Sequence, residues 1–142
     1  MLVMSAKLRV LVADDHEQCR WAIVRMLRVE FEVVAAVADG SRLIDAAMSL
    51  LPDVIVSDIH MPLLTGMQAM EDLRRKGCNI PFVLVSTANS GVEEYIKRGA
   101  MAFVNKTDLG HDLVTAVFSA AFGNVCVSRN AAGKRSDTPR YA

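Results

Sequence analysis

Short apolar runs alternate with longer amphipathic segments along most of the chain. The first apolar run, residues 8–13, precedes a segment at 17–28 in which apolar side chains recur at mixed spacings of three and four. This spacing indicates a strand followed by an amphipathic helix, and the same pair of patterns recurs along the chain. We predict strands at 8–13, 33–38, 54–57, 82–85 and 102–104, and helices at 17–28, 41–50, 66–75, 92–98 and 109–122.

The predicted strands lack the polar alternation of a sheet that has one face in water. Residues 54–56 and 82–85 are continuously apolar. Such runs are typical of strands buried on both faces, and therefore of a parallel sheet covered by helices. We predict an α/β, doubly wound, flavodoxin-like fold with five parallel strands in the order 2-1-3-4-5.

The composition changes near the end of the chain. From residue 129 onward Asn, Gly, Ser, Pro and basic residues dominate, and few side chains are apolar. We predict one domain over residues 1–128 and a flexible tail or linker stub over 129–142. The length of 142 residues and the 52% apolar content suit a single domain with a sizeable core.

Charge and cysteine content argue against several classes of protein. Sixteen basic and sixteen acidic residues give a formal net charge of zero, so nothing indicates a nucleic-acid surface or a basic membrane patch. The three cysteines, Cys19, Cys78 and Cys126, have no CxxC spacing and are expected to be reduced thiols. No segment approaches the roughly 18 apolar residues of a membrane span, and we expect a cytoplasmic protein.

Carboxylates stand at the ends of two predicted strands. Asp14 and Asp15 follow the first strand, and Asp58 follows the third. In the predicted order these strands are neighbours, and ligands bind beyond their carboxyl ends. Clustered carboxylates bind a cation or take up protons, and an all-oxygen site favours Mg²⁺. Alternatively, the aspartate pair caps the first helix and Asp58 is a turn residue.

Hydroxyls and a lysine follow the fourth and fifth strands. Ser86 and Thr87 come after the fourth strand, and Lys106 comes after the fifth. A carboxylate at Asp58 that attacks phosphorus needs its surroundings to neutralise phosphoryl charge, and an ammonium and a hydroxyl do so. The alternative for Lys106 is an ordinary surface position.

Together these strings resemble the receiver domain of bacterial two-component response regulators. The resemblance covers about residues 7–128 and includes the string Asp-x-x-Met-Pro-x-x-x-Gly from Asp58 to Gly66. It implies that Asp58 accepts a phosphoryl group from a sensor histidine kinase or a phosphotransfer protein. It also implies that Mg²⁺ is held by Asp14, Asp15, Asp58 and the backbone carbonyl of His60.

The segment from Lys106 to Val125 resembles the branch of the family that usually carries a helix-turn-helix output domain, the LuxR/NarL type. The residues after Ser128 are too few for such a domain. The chain is thus either a single-domain regulator or the receiver part of a longer protein. We expect this domain alone to bind neither nucleic acid nor membrane.

The resemblance further implies a switch rather than an enzyme, with at most slow self-dephosphorylation. Phosphorylation would draw Ser86 and Lys106 inward and repack Phe103. The surface formed by the fourth helix, fifth strand and fifth helix would change with them, and it is also the candidate homodimer surface. The alternative for Phe103 is ordinary packing against the fifth helix.

Two loops depart from the family pattern. Lys106 is followed by Thr107, where the family usually has proline, which leaves the geometry of that loop open. Ser86 lies at the family's distance from the preceding proline, whereas Thr87 begins the common Thr-Ala pair. Both stay candidates for the switch hydroxyl, and Ser86 is favoured.

The fourth predicted helix and the loop after Asp58 are also unusual. Residues 86–99 are about two positions shorter than is usual in the family, which predicts a shortened or displaced fourth helix. His60 either lies over the phosphoryl group or is a loop histidine without a role.

Two other functions are alternatives. A phosphohydrolase of the haloacid dehalogenase type also uses an aspartate nucleophile, a lysine and Mg²⁺. Such enzymes place a second aspartate two positions after the nucleophile, where this chain has His60, and their metal-binding acids follow the nucleophile. A pseudo-receiver that never takes phosphate would use the same surface only for binding.

Overall fold

The computed structural model describes residues 7–132, which form one parallel sheet with helices on both faces. The strands are β1 Arg9–Ala13, β2 Glu32–Val37, β3 Val54–Asp58, β4 Phe82–Ser86, β5 Ala102–Asn105 and β6 Cys126–Val127. The helices are α1 Glu17–Leu27, α2 Gly40–Leu50, α3 Gly66–Arg75, α4 Val92–Lys97, α5 Leu109–Ala121 and α6 Arg129–Ala132, and a 3₁₀ turn spans Lys106–Asp108.

The strand order is β2-β1-β3-β4-β5-β6. The predicted order of the first five strands is confirmed, whereas the count of five is wrong. β6 pairs in parallel with β5, with Cys126 opposite Ala102 and Val127 opposite Phe103. A strand of two residues at the edge of a sheet is too short to show a period in the sequence.

The helices cover the sheet as two layers, each with its own apolar core. In β5, Ala102 and Val104 face α1 and α5, while Phe103 between them belongs to the core beneath α2, α3 and α4. Alternate residues of a strand point to opposite faces. The continuous apolar runs are therefore explained, because both faces of β1, β3, β4 and β5 are buried.

The fourth helix is short, as predicted. α4 has six residues, none of them buried, and it follows Gly91, whose φ of 85° is a left-handed conformation. Its N-terminus has no side-chain cap. A helix this short gains little from its own hydrogen bonds, so it depends on packing against β5.

The predicted tail begins with ordered structure. Arg129–Ala132 form a helical turn, and Ala131 is 8% exposed and packs in the core beneath α2, α3 and α4. The flexible tail or linker stub over 129–142 stays a prediction, of which residues 129–132 begin as a helical turn. Residues 1–6 and 133–142 lie outside the described part of the chain, and the domain boundary at residue 128 stays a prediction.

Within residues 7–132 none of the helices has the length and apolar character that a bilayer crossing requires.

Candidate functional site

Three aspartates meet where β1 and β3 end. The side chains of Asp14 and Asp58 are 0% and 6% exposed, and that of Asp15 is 29% exposed. Carboxylate oxygens of all three lie within 4.8 Å of one another and of a ring nitrogen of His16. The predicted convergence of Asp14, Asp15 and Asp58 is thus present in the fold, because β1 and β3 are hydrogen-bonded neighbours.

The alternative explanations for these aspartates are wrong. The N-cap of α1 is His16, and Asp14 Oδ1 instead accepts a hydrogen bond from the His16 backbone N–H at 2.9 Å. Asp58 is the last residue of β3 and not a turn residue. Asp14 therefore forms a turn before α1 without capping the helix.

Lys106 lies between two of the carboxylates. Its Nζ is 3.2 Å from Asp14 Oδ2 and 3.2 Å from Asp58 Oδ2, and its side chain is 15% exposed. It enters the site from the turn that follows β5, on the opposite side of β4 from β3. The ordinary surface position considered for this lysine is therefore wrong.

The charged side chains at this edge of the sheet change one another's pKa. Burial raises the pKa of Asp58 above its ordinary value, Lys106 acts against this rise, and Asp14 adds to it. Burial alone would lower the pKa of Lys106, but the attraction of Asp58 and Asp14 outweighs it and the pKa lies above its ordinary value. One ammonium thus stands against more than one carboxylate, so the site favours a further positive charge.

Two carboxylate oxygens lack a hydrogen bond of good geometry. Asp14 Oδ2 and Asp15 Oδ1 are buried atoms with no hydrogen bond of good geometry within residues 7–132. Their charged contacts are with Lys106 Nζ at 3.2 Å and His16 Nδ1 at 3.3 Å, respectively. Unpaired buried acceptors are rare because each costs free energy. A divalent cation bound by oxygen ligands would satisfy both, so the donor set fits Mg²⁺.

The start of α3 fixes the loop that follows Asp58. A Cβ on Gly66 would lie 2.5 Å from the Asp58 carbonyl oxygen and 2.8 Å from Ser57 Oγ, so only glycine fits here. Thr65 and Gln68 form a reciprocal capping box at the N-terminus of the helix. The string from Asp58 to Gly66 therefore packs α3 directly onto the backbone of Asp58.

The two candidate hydroxyls differ in burial. Ser86 is the last residue of β4 and is 3% exposed, and it lies opposite Asn105 in β5. Its Oγ accepts a hydrogen bond from the Ala88 backbone N–H at 3.1 Å. Thr87 is exposed in the loop beyond the strand. Ser86 is thus the hydroxyl that the sheet holds at the same edge as Asp58.

Phe103 is fully buried and packs on the α4 side of the sheet. Its ring stacks on that of Tyr95 with centroids 6.1 Å apart and planes 8° from parallel. The alternative of packing against α5 is wrong, since α5 covers the other face. Its predicted role as a switch stays a prediction.

Three further side chains surround the site. The exposed His60 donates its backbone N–H to Asp58, and the predicted metal-binding role of its carbonyl stays a prediction. His16 was not predicted, although it directly follows Asp15. Cys19 was not singled out either: burial, followed by Asp14, raises the pKa of its thiol to about 11. The thiol is therefore protonated at neutral pH.

The fold and the acid cluster with its lysine together define a class of protein. Comparison of the sequence with known protein families identifies that class. The sequence profile of the response regulator receiver domain matches residues 10–118. The chain belongs to this family and is a receiver domain of two-component response regulators.

Curated relatives that match over most of this chain include response regulators of the NarL/LuxR type. The nitrate/nitrite response regulator homologue of Haemophilus influenzae is 33% identical over 88% of this chain and 62% of its own length. The transcriptional regulatory protein LiaR of Bacillus subtilis is 30% identical over 89% of this chain and 62% of its own. The chain thus spans less than two thirds of the length of these relatives.

Solved structures agree with the sequence relatives. The signal receiver domain of NarL from Mycobacterium tuberculosis superposes with a TM-score of 0.80 at 29% identity, covering 84% of this chain and 100% of that one. The family match favours the receiver interpretation over a haloacid dehalogenase phosphohydrolase or an unphosphorylated binding module. Receiver domains are generally not enzymes.

Proposed function

We propose that Asp58 takes a phosphoryl group from a sensor histidine kinase or a phosphotransfer protein, and that the Asp58 phosphate switches the surface of α4, β5 and α5. Lys106 carries this proposal, because its Nζ lies 3.2 Å from both Asp58 Oδ2 and Asp14 Oδ2. An ammonium at this position offsets the negative charge of an incoming phosphoryl group.

The carboxylate of Asp58 is the nucleophile. It attacks phosphorus, the bond between phosphorus and the donor's histidine nitrogen breaks, and that nitrogen keeps the electron pair. The protein needs little beyond positioning and charge neutralisation for such a transfer. The raised pKa of Asp58 supports this role, since burial leaves the carboxylate poorly solvated.

We propose that Asp14, Asp15 and Asp58 hold Mg²⁺ together with the backbone carbonyl of His60. The buried oxygens Asp14 Oδ2 and Asp15 Oδ1, which have no hydrogen bond of good geometry among the described residues, support this assignment. When bound, the ion supplies positive charge that shields the carboxylates from the anionic donor.

Ser86 is the proposed switch hydroxyl. Its burial at the end of β4 supports it over the exposed Thr87. A hydroxyl that donates to a phosphoryl oxygen forms a charge-assisted hydrogen bond. The movement of Ser86 toward phosphate would then reach Phe103 through the paired ends of β4 and β5.

The output is proposed from the relatives. LiaR is a transcriptional regulatory protein by name, and a regulator with the same architecture would couple this receiver to DNA binding by a separate domain. A homodimer through α4, β5 and α5, and a cytoplasmic location, belong to the same proposal.

Intact mass after incubation with Mg²⁺ and acetyl phosphate tests the acceptor. We expect a gain of one phosphoryl group in the native chain and none in Asp58→Asn. Asp45→Asn is the matched control, because Asp45 is exposed on α2. An equal gain in Asp58→Asn would refute Asp58 as the acceptor, and sustained hydrolysis of a phosphate monoester would revive the phosphohydrolase.

A second pair of variants separates the hydroxyls. Ser86→Ala should weaken the binding of beryllofluoride, a phosphoryl mimic, by about tenfold, the equivalent of one hydrogen bond to a charged group. Thr87→Ala should leave the affinity unchanged. The opposite result, measured by titration calorimetry with Mg²⁺ present, would assign the role to Thr87.

A further inference from the structure

The turn that carries Lys106 is built without the proline that usually follows this lysine in the family. Asn105 Oδ1 accepts hydrogen bonds from the Thr107 backbone N–H at 2.9 Å and from Thr107 Oγ1 at 2.8 Å. This capping folds residues 106–108 into a 3₁₀ turn. The backbone on both sides of Lys106 is therefore fixed by side-chain hydrogen bonds.

The segment after β6 closes over this turn. Ser128 Oγ accepts from the Asn105 backbone N–H at 2.9 Å and donates to Asp108 Oδ2 at 2.6 Å. Asn130 donates its backbone N–H to Asp108 Oδ2 at 2.8 Å and its side-chain amide to Asp108 Oδ1 at 2.5 Å. The two ends of the Lys106 turn are thus held by residues that lie 20 or more positions further along the chain.

The same segment also reaches the loop after β4. The backbone carbonyl of Asn130 accepts a hydrogen bond from Asn89 Nδ2 at 3.1 Å, and Asn89 Oδ1 accepts from Asn105 Nδ2 at 2.7 Å. Asn89 follows Ser86 by three positions. The segment therefore links both loops that carry the side chains proposed to bind phosphate.

We propose that Ser128 and Asn130 are positioning residues for Lys106. Docking of residues 126–130 holds the turn so that the Lys106 ammonium stays between Asp14 and Asp58. Docking and anion binding are then coupled, and the coupling is reciprocal: an anion that engages Lys106 also stabilises the docked segment. The anion part of this inference rests on the proposed function.

Asn130→Asp tests the inference with no change in side-chain size. It removes the amide donor to Asp108 and places a second carboxylate against it, so the segment should undock by charge repulsion. Asn124→Ala is the matched control. Asn124 lies in the exposed turn before β6, and its side chain has no hydrogen bond among the described residues.

The first measurement needs no phosphate. The rate at which a water-soluble acylating reagent modifies Lys106 reports how far its amine is shielded by Asp14 and Asp58, with the exposed Lys97 as internal reference. We expect the Lys106 rate, relative to Lys97, to rise at least threefold in Asn130→Asp and to stay unchanged in Asn124→Ala. An unchanged rate in Asn130→Asp overturns the positioning role.

The second measurement follows the coupling. Beryllofluoride with Mg²⁺ should bind Asn130→Asp about tenfold more weakly than the native chain, and should slow amide hydrogen exchange at residues 126–131 of the native chain. Equal affinity in the two proteins, or faster exchange on binding, contradicts the coupling. If the native chain binds no beryllofluoride, the proposed function fails, and the acylation rates still decide the positioning role.

Discussion

The two ends of the Lys106 turn use buried carboxylates in opposite ways. At the acid end, where β1 and β3 stop, three carboxylates share the single ammonium of Lys106, Asp14 Oδ2 and Asp15 Oδ1 have no hydrogen bond of good geometry, and burial raises the pKa of Asp58. At the amide end, beyond β5, both oxygens of Asp108 accept hydrogen bonds from Ser128 and Asn130. The carboxylates of the acid end can therefore still bind a positively charged ligand. The carboxylate of Asp108 at the amide end is already bonded by donors of the chain itself.

This contrast separates the carboxylates that are candidates for ligand binding from the one that holds the chain together. Asp108 is 1% exposed, more buried than Asp58 at 5%, yet its donors give it a structural role. Unsatisfied charge, rather than burial, distinguishes the acid end, and sites with such unresolved electrostatics are candidates for chemistry. Substitutions that remove one charged side chain at a time test this contrast.

The largest effect is expected at the acid end for Lys106→Ala. The substitution leaves Asp14 and Asp58 buried without their common cation, and removing one partner of a buried ion pair typically costs about 3–5 kcal/mol. Urea unfolding at pH 7 with a chelator present measures the loss. Lys97→Ala, on the exposed surface of α4, is the control, and an equal loss in both variants would show that the acid end does not depend on Lys106.

A smaller loss is expected at the amide end for Asp108→Ala. The substitution strands the hydroxyl of Ser128 and two N–H donors of Asn130, and an unsatisfied buried polar group costs about 1–3 kcal/mol. Urea unfolding should show a loss of this size. Amide exchange should accelerate at residues 126–131 and remain unchanged in α2. Exchange that accelerates evenly along the chain would mean that Asp108 does not specifically hold the segment.

The acid end could be predicted from the sequence because each of its residues directly follows an apolar strand. The order of parallel strands then brings Asp14, Asp15 and Asp58 to one edge. The shortness of α4 could also be predicted, because the stretch from Ser86 to Gly99 is shorter than is usual in the family. The capping box of Thr65 and Gln68 has a recognisable sequence signature as well, although Thr65 was not identified by it.

The amide end could not be predicted, because its contacts join residues far apart in the chain. Asn89 bonds to Asn130, which lies 41 positions later, and neither residue stands in a pattern that reveals its partner. β6 has only two residues, so neither the sixth strand nor the docking of Ser128 has a periodic signal. The polar composition after residue 128 instead predicts a tail, because composition does not distinguish polar side chains that bond within the fold from polar side chains that are solvated.

The smallest effect, with the opposite sign, is expected for Asp58→Asn. Because burial raises the pKa of Asp58, its ionised form is less favourable in the folded protein than in the unfolded chain. An amide of the same size removes this charge, and we expect a gain in stability of about 0.5–2 kcal/mol at pH 7, the range common for relieving a functional site. Urea unfolding with a chelator measures it.

The pH dependence identifies the cause of that gain. An acid whose pKa is raised by folding binds more protons in the native state, so native stability rises as the pH falls through the raised pKa. The advantage of Asp58→Asn should therefore be larger at neutral pH than in acid and should disappear as the pH approaches 3.8, the pKa of an unperturbed aspartate. At the amide end Asp108→Asn should be destabilising at neutral pH, since a carboxylate oxygen that accepts from Asn130 becomes an amide donor. If Asp58→Asn and Asp108→Asn changed stability in the same direction, unsatisfied charge would not be what separates the two ends of the turn.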